Sequence, residues 1–202
     1  VSLGEMGEIQ LDRSIYMWVN VSNHKPDGRL YWKGAVYDRF DGFTWSMSRH
    51  HGHHYRPIYR DFFQFIDVRP LKFIRQEVFL EGGDNRYLFF HGYPIAVAGR
   101  FKSLKVSHTG ALPVPYESRA VQRYVTFSIE EPVQHADQNR IRHKFLRLPE
   151  NLDARIPELA STITSGAENA MAKAQLISDY LRINYTYSLG GAELPSGDPL
   201  AR

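Results

Sequence analysis

Four histidines crowd into Arg49-His50-His51-Gly52-His53-His54, and neutral imidazole is a common metal ligand. His50, His51, His53 and His54 are thus the first residues whose type and spacing could do chemistry. Their spacing is loose, Gly52 works against a helix, and the nearest carboxylates in sequence are Asp41 and Asp61. A solvated loop accounts for the same residues, so the sequence assigns no metal ligand set. The chain holds no Cys, which excludes disulfides and thiolate chemistry of its own. Ser, His and Asp side chains are plentiful, but no G-x-S-x-G elbow orders them and no carboxylate pair is anchored for glycoside cleavage. The expected catalytic, cofactor-binding and metal-ligating residues are therefore none, and no cofactor is implied.

A second constellation is basic and aromatic. Arg56, Arg60, Arg69, Lys72 and Arg75 interleave with Tyr55, Tyr59, Phe62, Phe63, Phe65 and Phe73. Such surfaces can stack on single-stranded nucleic acid. Sheet strands with an aromatic core face and a charged wet face explain the pattern more simply. The formal charge of +3, from 25 basic and 22 acidic side chains, is too small to argue for a nucleic-acid partner. No apolar run reaches the eighteen or so residues that would span a bilayer.

The elements that must position these residues fall into two textures. Up to about Glu131 the chain is rich in aromatic and β-branched residues, with 12 Tyr, 12 Phe and 3 Trp overall, which favours pleated surfaces. Ile15, Met17, Val19 and Val21 alternate with Tyr16, Trp18 and Asn20, the period of a strand. Pro26-Asp27-Gly28 reads as a tight turn. Residues 30–40 read as a second strand, Asp41-Gly42 as a type I′ hairpin turn, and 43–47 as the return, with Phe40 opposite Phe43. Further strands are expected at 62–68, 73–80, 87–90, 95–98, 104–107 and 121–129, with Gly82-Gly83-Asp84-Asn85 as a hairpin loop. A polar connector runs from Glu131 to Asn139.

Beyond it the period lengthens. Ile156, Leu159, Ala160 and Ile163 share one helical face, with Pro157 in the first turn. Ser165 stands three before Glu168, a capping box, and Met171, Ala174, Ile177 and Leu181 form the expected buried stripe of the helix that follows, up to Asn184. Tyr185-Thr186-Tyr187 then turns extended. The fold class expected is α+β: a mostly antiparallel β-sandwich or partly closed barrel over residues 1–140, then a two-helix segment over 141–202.

The run Tyr31-Trp32-Lys33-Gly34-Ala35-Val36-Tyr37-Asp38-Arg39-Phe40-Asp41-Gly42-Phe43-Thr44-Trp45 resembles the signature of bacterial TgpA-type transglutaminase-like membrane proteins. Gly7-Glu8-Ile9-Gln10-Leu11 is similar to that family's opening strand. Phe145-Leu146-Arg147-Leu148-Pro149, Tyr180-Leu181 with Asn184-Tyr185-Thr186-Tyr187, and Gly197-Asp198-Pro199-Leu200 resemble its later steps.

The resemblance implies the pre-catalytic part of an extracytoplasmic region, periplasmic or cell-surface, held to the membrane by segments outside this chain. It implies acyl transfer or peptide hydrolysis through a Cys, a His and an Asp expected after Arg202, so His135 and His143 are not substitutes. A thiolate gains from a helix N-terminus, and this chain supplies no thiol. The chain alone is expected to be inactive and to serve as scaffold, its partner being the downstream core of the same polypeptide. Self-association of the helical part and a protein or peptide substrate are the other partners expected. The alternative is a β-sandwich module that binds cell-wall peptide, glycan or a protein; aromatics clustered on an exposed face favour it, and aromatics buried between sheets favour the scaffold.

Overall fold

The computed structural model describes residues 14–23, 30–48, 52–67, 70–81, 85–130 and 145–186. The turn at Pro26-Asp27-Gly28, the connector after Glu131, and the stretches 7–11 and 197–200 lie outside these residues. The chain divides into two compact units: Arg13–Asp38 with Met47–Phe145, and Val1–Asp12 with Arg39–Ser46 and Leu146–Arg202.

In the first unit, period-two alternation becomes an antiparallel sheet. Along Arg123–Ile129 the residues Tyr124, Thr126 and Ser128 are buried while Arg123, Val125 and Phe127 are not. Ile74–Leu80 alternates the same way. With β1 (Met17–Ser22), β2 (Arg39–Phe40), β3 (Trp45–Ser46), β4 (His53–Tyr55), β5 (Phe62–Gln64), β6 (Ile74–Leu80), β7 (Tyr93–Ala98), β8 (Leu104–Val106) and β9 (Arg123–Ile129), the large sheet runs β1-β6-β9-β7-β5. The sheets are open; the described strands close no barrel. β4 and β8 pair as a separate two-stranded ladder.

The core lies on one side of the large sheet. Phe63, Val78, Leu80, Val97 and Tyr124 from its strands meet Leu88, Phe90, Phe101, Leu104, Leu112 and Val114. The buried Gln76 on that side is paired: its amide donates to the His91 carbonyl at 3.1 Å and accepts from the His91 N–H at 2.7 Å.

Several expected elements take other forms. No strand forms at 87–90; that stretch is held by single bridges, Tyr87 to Pro113 and Lys33 to Phe90. Its remaining polar groups go to a side chain, as the Tyr124 hydroxyl accepts from the Phe89 N–H at 2.7 Å and donates to its carbonyl at 3.1 Å. Gly34 is buried against Phe89, whose ring would lie 2.9 Å from an added Cβ. The expected strand at 30–40 is reduced to β2 for the same reason: its middle is spent on these local contacts. β6 is not followed by a hairpin partner, since its neighbours are β1 and β9.

In the second unit, β2 and β3 pair Phe40 with Trp45, not with Phe43. The turn between them is wider than a two-residue type I′ turn because the Asp41 carboxylate accepts from the N–H groups of Phe43 (2.9 Å) and Thr44 (2.7 Å). Gly42 takes the single left-handed position, φ +105°. The Phe40 and Trp45 rings stack at 4.9 Å. Two helices follow, α1 (Arg155–Ile163), with Pro157 in its first turn, and α2 (Ala170–Asn184).

The α2 cap is Asn169, not Ser165. Its side chain accepts from Ala172 N–H at 2.9 Å, whereas the Ser165 hydroxyl donates back to the Thr162 carbonyl at 3.1 Å. Three residues of tail on α1 thus absorb the expected capping box. Asn169→Ala is expected to lower stability by about 1 kcal/mol, read by urea unfolding followed at the helical circular-dichroism band; a Ser165→Ala variant should change it by much less.

The expected buried stripe of α2 is not buried. Neither helix contains a fully buried residue, and of that row Met171 is 78% and Leu181 50% exposed. Among the described residues only Ile177 of that row is half-buried.

Candidate functional site

Asp38 ends the segment that begins at Leu30, and Ser48 follows the excursion through β2 and β3. His108 sits in the turn after β8, where Gly110, at φ +80°, donates to the Ser107 carbonyl at 2.9 Å. These three distant residues meet. Asp38 accepts from the Ser48 N–H at 2.7 Å, from the Ser48 hydroxyl, and from His108 Nε2 at 2.7 Å. Its side chain is 1% exposed. Burial alone would raise the Asp38 carboxyl, but the Ser48 hydroxyl and N–H and the neighbouring His108 outweigh it and hold the pKa at about 2.

Ser, His and Asp in contact invite comparison with a nucleophilic triad, and the geometry excludes that role. A relay needs the imidazole to bridge: one ring nitrogen on the carboxylate, the other on the hydroxyl. Here Asp38 Oδ2 and Ser48 Oγ both approach Nε2, at 2.7 and 3.2 Å. A nitrogen that donates its proton to a carboxylate has no lone pair with which to deprotonate a hydroxyl. The Ser48 hydroxyl donates to Asp38 directly, so its proton is already committed.

The cluster is a clasp. Asp38 and Met47 are the residues at which the chain leaves and rejoins the sheet unit, and the Asp38–Ser48 bonds close that neck while His108 ties it to the turn after β8. A cavity of about 270 Å³ adjoins it, lined by Ser48, Tyr87, Lys105, His108, Thr109 and Pro113 among others. Its hydroxyls are partly engaged with each other, Ser107 Oγ lying 2.7 Å from Thr109 Oγ1.

The other candidates disperse. His50 and His51 lie outside the described residues. His53 and His54 are exposed and successive on β4, not in a loop; neighbours on a strand project to opposite faces, so these two cannot share one ion. Among the described residues no three His, Asp or Glu side chains converge as metal ligands would. His135, His143 and Arg69 are outside the described residues.

The basic-aromatic stretch splits between both faces of the sheet. Phe63 is in the core, and Tyr55 packs edge-on to Phe65 at 5.0 Å. Phe62 and Phe73 instead gather on the opposite face around Phe127, at 5.8 and 6.0 Å. The wet face is therefore aromatic as well as charged. The clasp itself was not visible in sequence, because its partners stand 10 and 70 residues apart. The one signal was Asp38 inside the Trp32–Trp45 run.

An open antiparallel sheet with a one-sided core, a polar clasp and two helices later in the chain defines a β-rich domain with a helical segment. The comparisons narrow that class. The chain belongs to the TgpA N-terminal domain family, which matches residues 1–134. Two crystal structures of the periplasmic domain of TgpA from Pseudomonas aeruginosa share its fold. One, bound to ethylmercury, has a TM-score of 0.59 at 19% identity and covers 92% of this chain and 61% of its own. The other has a TM-score of 0.60 at 18% identity, covering 94% and 63%. The chain thus spans less than two thirds of the length of either. No curated protein matches it. No described helix is long and apolar enough to cross a membrane.

Proposed function

We propose that this chain is the non-catalytic front part of the extracytoplasmic region of a membrane-anchored, transglutaminase-like protein, and that it braces a thiol-dependent acyl-transfer or protease core carried further along the same polypeptide. The observation that carries this reading is the largely uncovered apolar row of α2, with Met171 78% and Leu181 50% exposed, in a chain spanning 61% and 63% of the periplasmic-domain structures that share its fold. Apolar surface left in water along a helix is a surface that packs against something. Continuation of the same polypeptide is the simplest cover. The clasp supports a bracing role, since it fixes the neck of the sheet unit without offering a base.

The test compares the present chain with a longer polypeptide from the same gene. The present chain should bind the dye ANS through α2 and show no turnover of a glutamine-donor or peptide substrate. The longer chain should lose the dye binding and protect the α2 amides from exchange. Turnover by the purified 202-residue chain, or dye binding unchanged on extension, would overturn the proposal.

A second reading, a binding module, is favoured by one observation: Trp18 is 55% and Phe79 37% exposed, paired across strands on the face opposite the core.

A further inference from the structure

The face of the large sheet that carries no core has an ordered pattern. The register aligns Ser22, Arg75, Phe127, Ala96 and Gln64 in one row across all five strands. A second row aligns Asn20, Glu77, Val125, Ala98 and Phe62, and a third Trp18, Phe79 and Arg123. Alternation puts all of these on the side away from Val78, Tyr124 and Val97.

Two hollows result. Where Ala96 stands between Phe127 and Gln64, the small side chain leaves a floor that the neighbouring rings wall in. The cavity there measures about 330 Å³, lined by Phe62, Gln64, Phe73, Ile95, Ala96 and Phe127 with Ile66 and Pro70. That volume lies at the small end for ligand sites and suits one apolar side chain. Its few polar groups could not satisfy the hydroxyls of a sugar ring.

Beside it runs a groove of about 570 Å³ whose charged residues are Arg75, Arg100, Arg123 and Glu77, three guanidiniums against one carboxylate. Glu77 is taken by Arg123 Nε at 2.9 Å and by Arg75 Nη2 at 3.4 Å. The surplus of positive charge attracts an anion. At the opposite end Asp67 accepts from Gln64 at 3.2 Å, which steers an acidic group toward the arginines.

We propose that this open sheet face binds an acidic peptide segment, one apolar side chain seated between Phe62, Phe73 and Phe127 and its carboxylates on the Arg75–Arg100–Arg123 groove. The proposal deepens the second reading above and does not depend on the first. Buried aromatic anchors beside arginines are the usual carriers of interface affinity. Arg100 extends it, because it is exposed and forms no ion pair with any described residue.

The test titrates the 202-residue chain with fluorescein-labelled peptides, followed by anisotropy at low salt. One peptide flanks a phenylalanine with glutamates, a second replaces the glutamates by glutamines, and a third replaces the phenylalanine by serine. The first should bind, and the other two about tenfold or more weaker. Phe62→Ala and Arg100→Glu should each weaken the first peptide by at least about tenfold, with the charge-reversed variant losing salt dependence as well. Because Arg100 is exposed, Arg100→Glu reports even if Phe62→Ala fails to fold.

Equal affinity for the first two peptides, with loss in Phe62→Ala, overturns the acidic ligand and leaves a binding face. Equal binding to wild type and both variants overturns the site. Failure of all peptides, with soluble glycan fragments quenching Trp18 instead, overturns the proposal and keeps the binding module in its glycan form. Failure of both ligand classes overturns the two together.

Discussion

Asp38→Asn is expected to destabilise the fold by about 2–4 kcal/mol at neutral pH and to flatten its acid limb. The carboxylate accepts from Ser48 N–H at 2.7 Å, the Ser48 hydroxyl and His108 Nε2 at 2.7 Å. An amide offers one acceptor oxygen in place of two and no charge. Part of the loss follows from the depressed pKa, about 2 against an ordinary 3.8. That difference amounts to about 2 kcal/mol.

The sign is that of a lowered carboxylate. Its contribution is complete above pH 3.8, shrinks as the pH falls toward 2, and is absent below. Other lowered carboxylates, Glu77 among them, act in the same direction, so the difference between wild type and Asp38→Asn isolates this residue. Urea unfolding at a series of pH values from 7 to 2 should show the two stabilities converging as the pH drops. Curves that stay parallel to the bottom of the range would show that the clasp's hydrogen bonds, not the charge, supply the stability.

Tyr124→Phe should cost a similar amount, about 2–4 kcal/mol, from loss of one atom. Its hydroxyl both accepts from and donates to the Phe89 backbone, at 2.7 and 3.1 Å, and the residue is 1% exposed. Burial pushes the phenol's pKa well above its usual value, so it stays a neutral donor and acceptor. Removing it leaves an N–H and a carbonyl of Phe89 unpaired beside the core, each costing about 1–3 kcal/mol. The Phe89 amide should also exchange faster in the native state. A stability change under about 0.5 kcal/mol, with Phe89 exchange unaltered, would mean that water replaces the hydroxyl and the packing explanation is wrong.

These two residues show what was legible in the chain. Alternation announced β1, β6, β7 and β9, because a sheet with a core on one face repeats every two residues. The 3.6-residue period announced α1 and α2. Partner choice was not legible. Tyr124 reads as one more strand aromatic, and nothing near it says that it replaces a ladder for residues 87–90. Asp41-Gly42 reads as a type I′ turn, yet the Asp41 carboxylate caps two N–H groups and shifts the pairing to Phe40 and Trp45. Ser165 carries the stronger capping motif, but α1 runs close enough to take its hydroxyl, leaving the cap to Asn169. His53 and His54 read as a loop because Gly52 breaks the pattern; their strand exists only through pairing with β8, some fifty residues on. The clasp was invisible for the same reason: its selectivity lies in long-range geometry.

The strand order β1-β6-β9-β7-β5 contains no two neighbours that are consecutive in the chain. Every ladder in that sheet must wait for a loop to close, from Ala98 to Val125 at the least and from Met17 to Leu80 at the most. β9 stands in the middle and is the last of the five to leave the ribosome. Until Arg123–Ile129 emerges, β6 and β7 have no shared partner; the β1–β6 and β5–β7 ladders can form as separate pairs, but the sheet cannot be joined at its centre. Chains dominated by such distant pairings fold slowly, on the scale of milliseconds to seconds. The same arrangement leaves the inner edges of two strand pairs open until the final strand of the five is made.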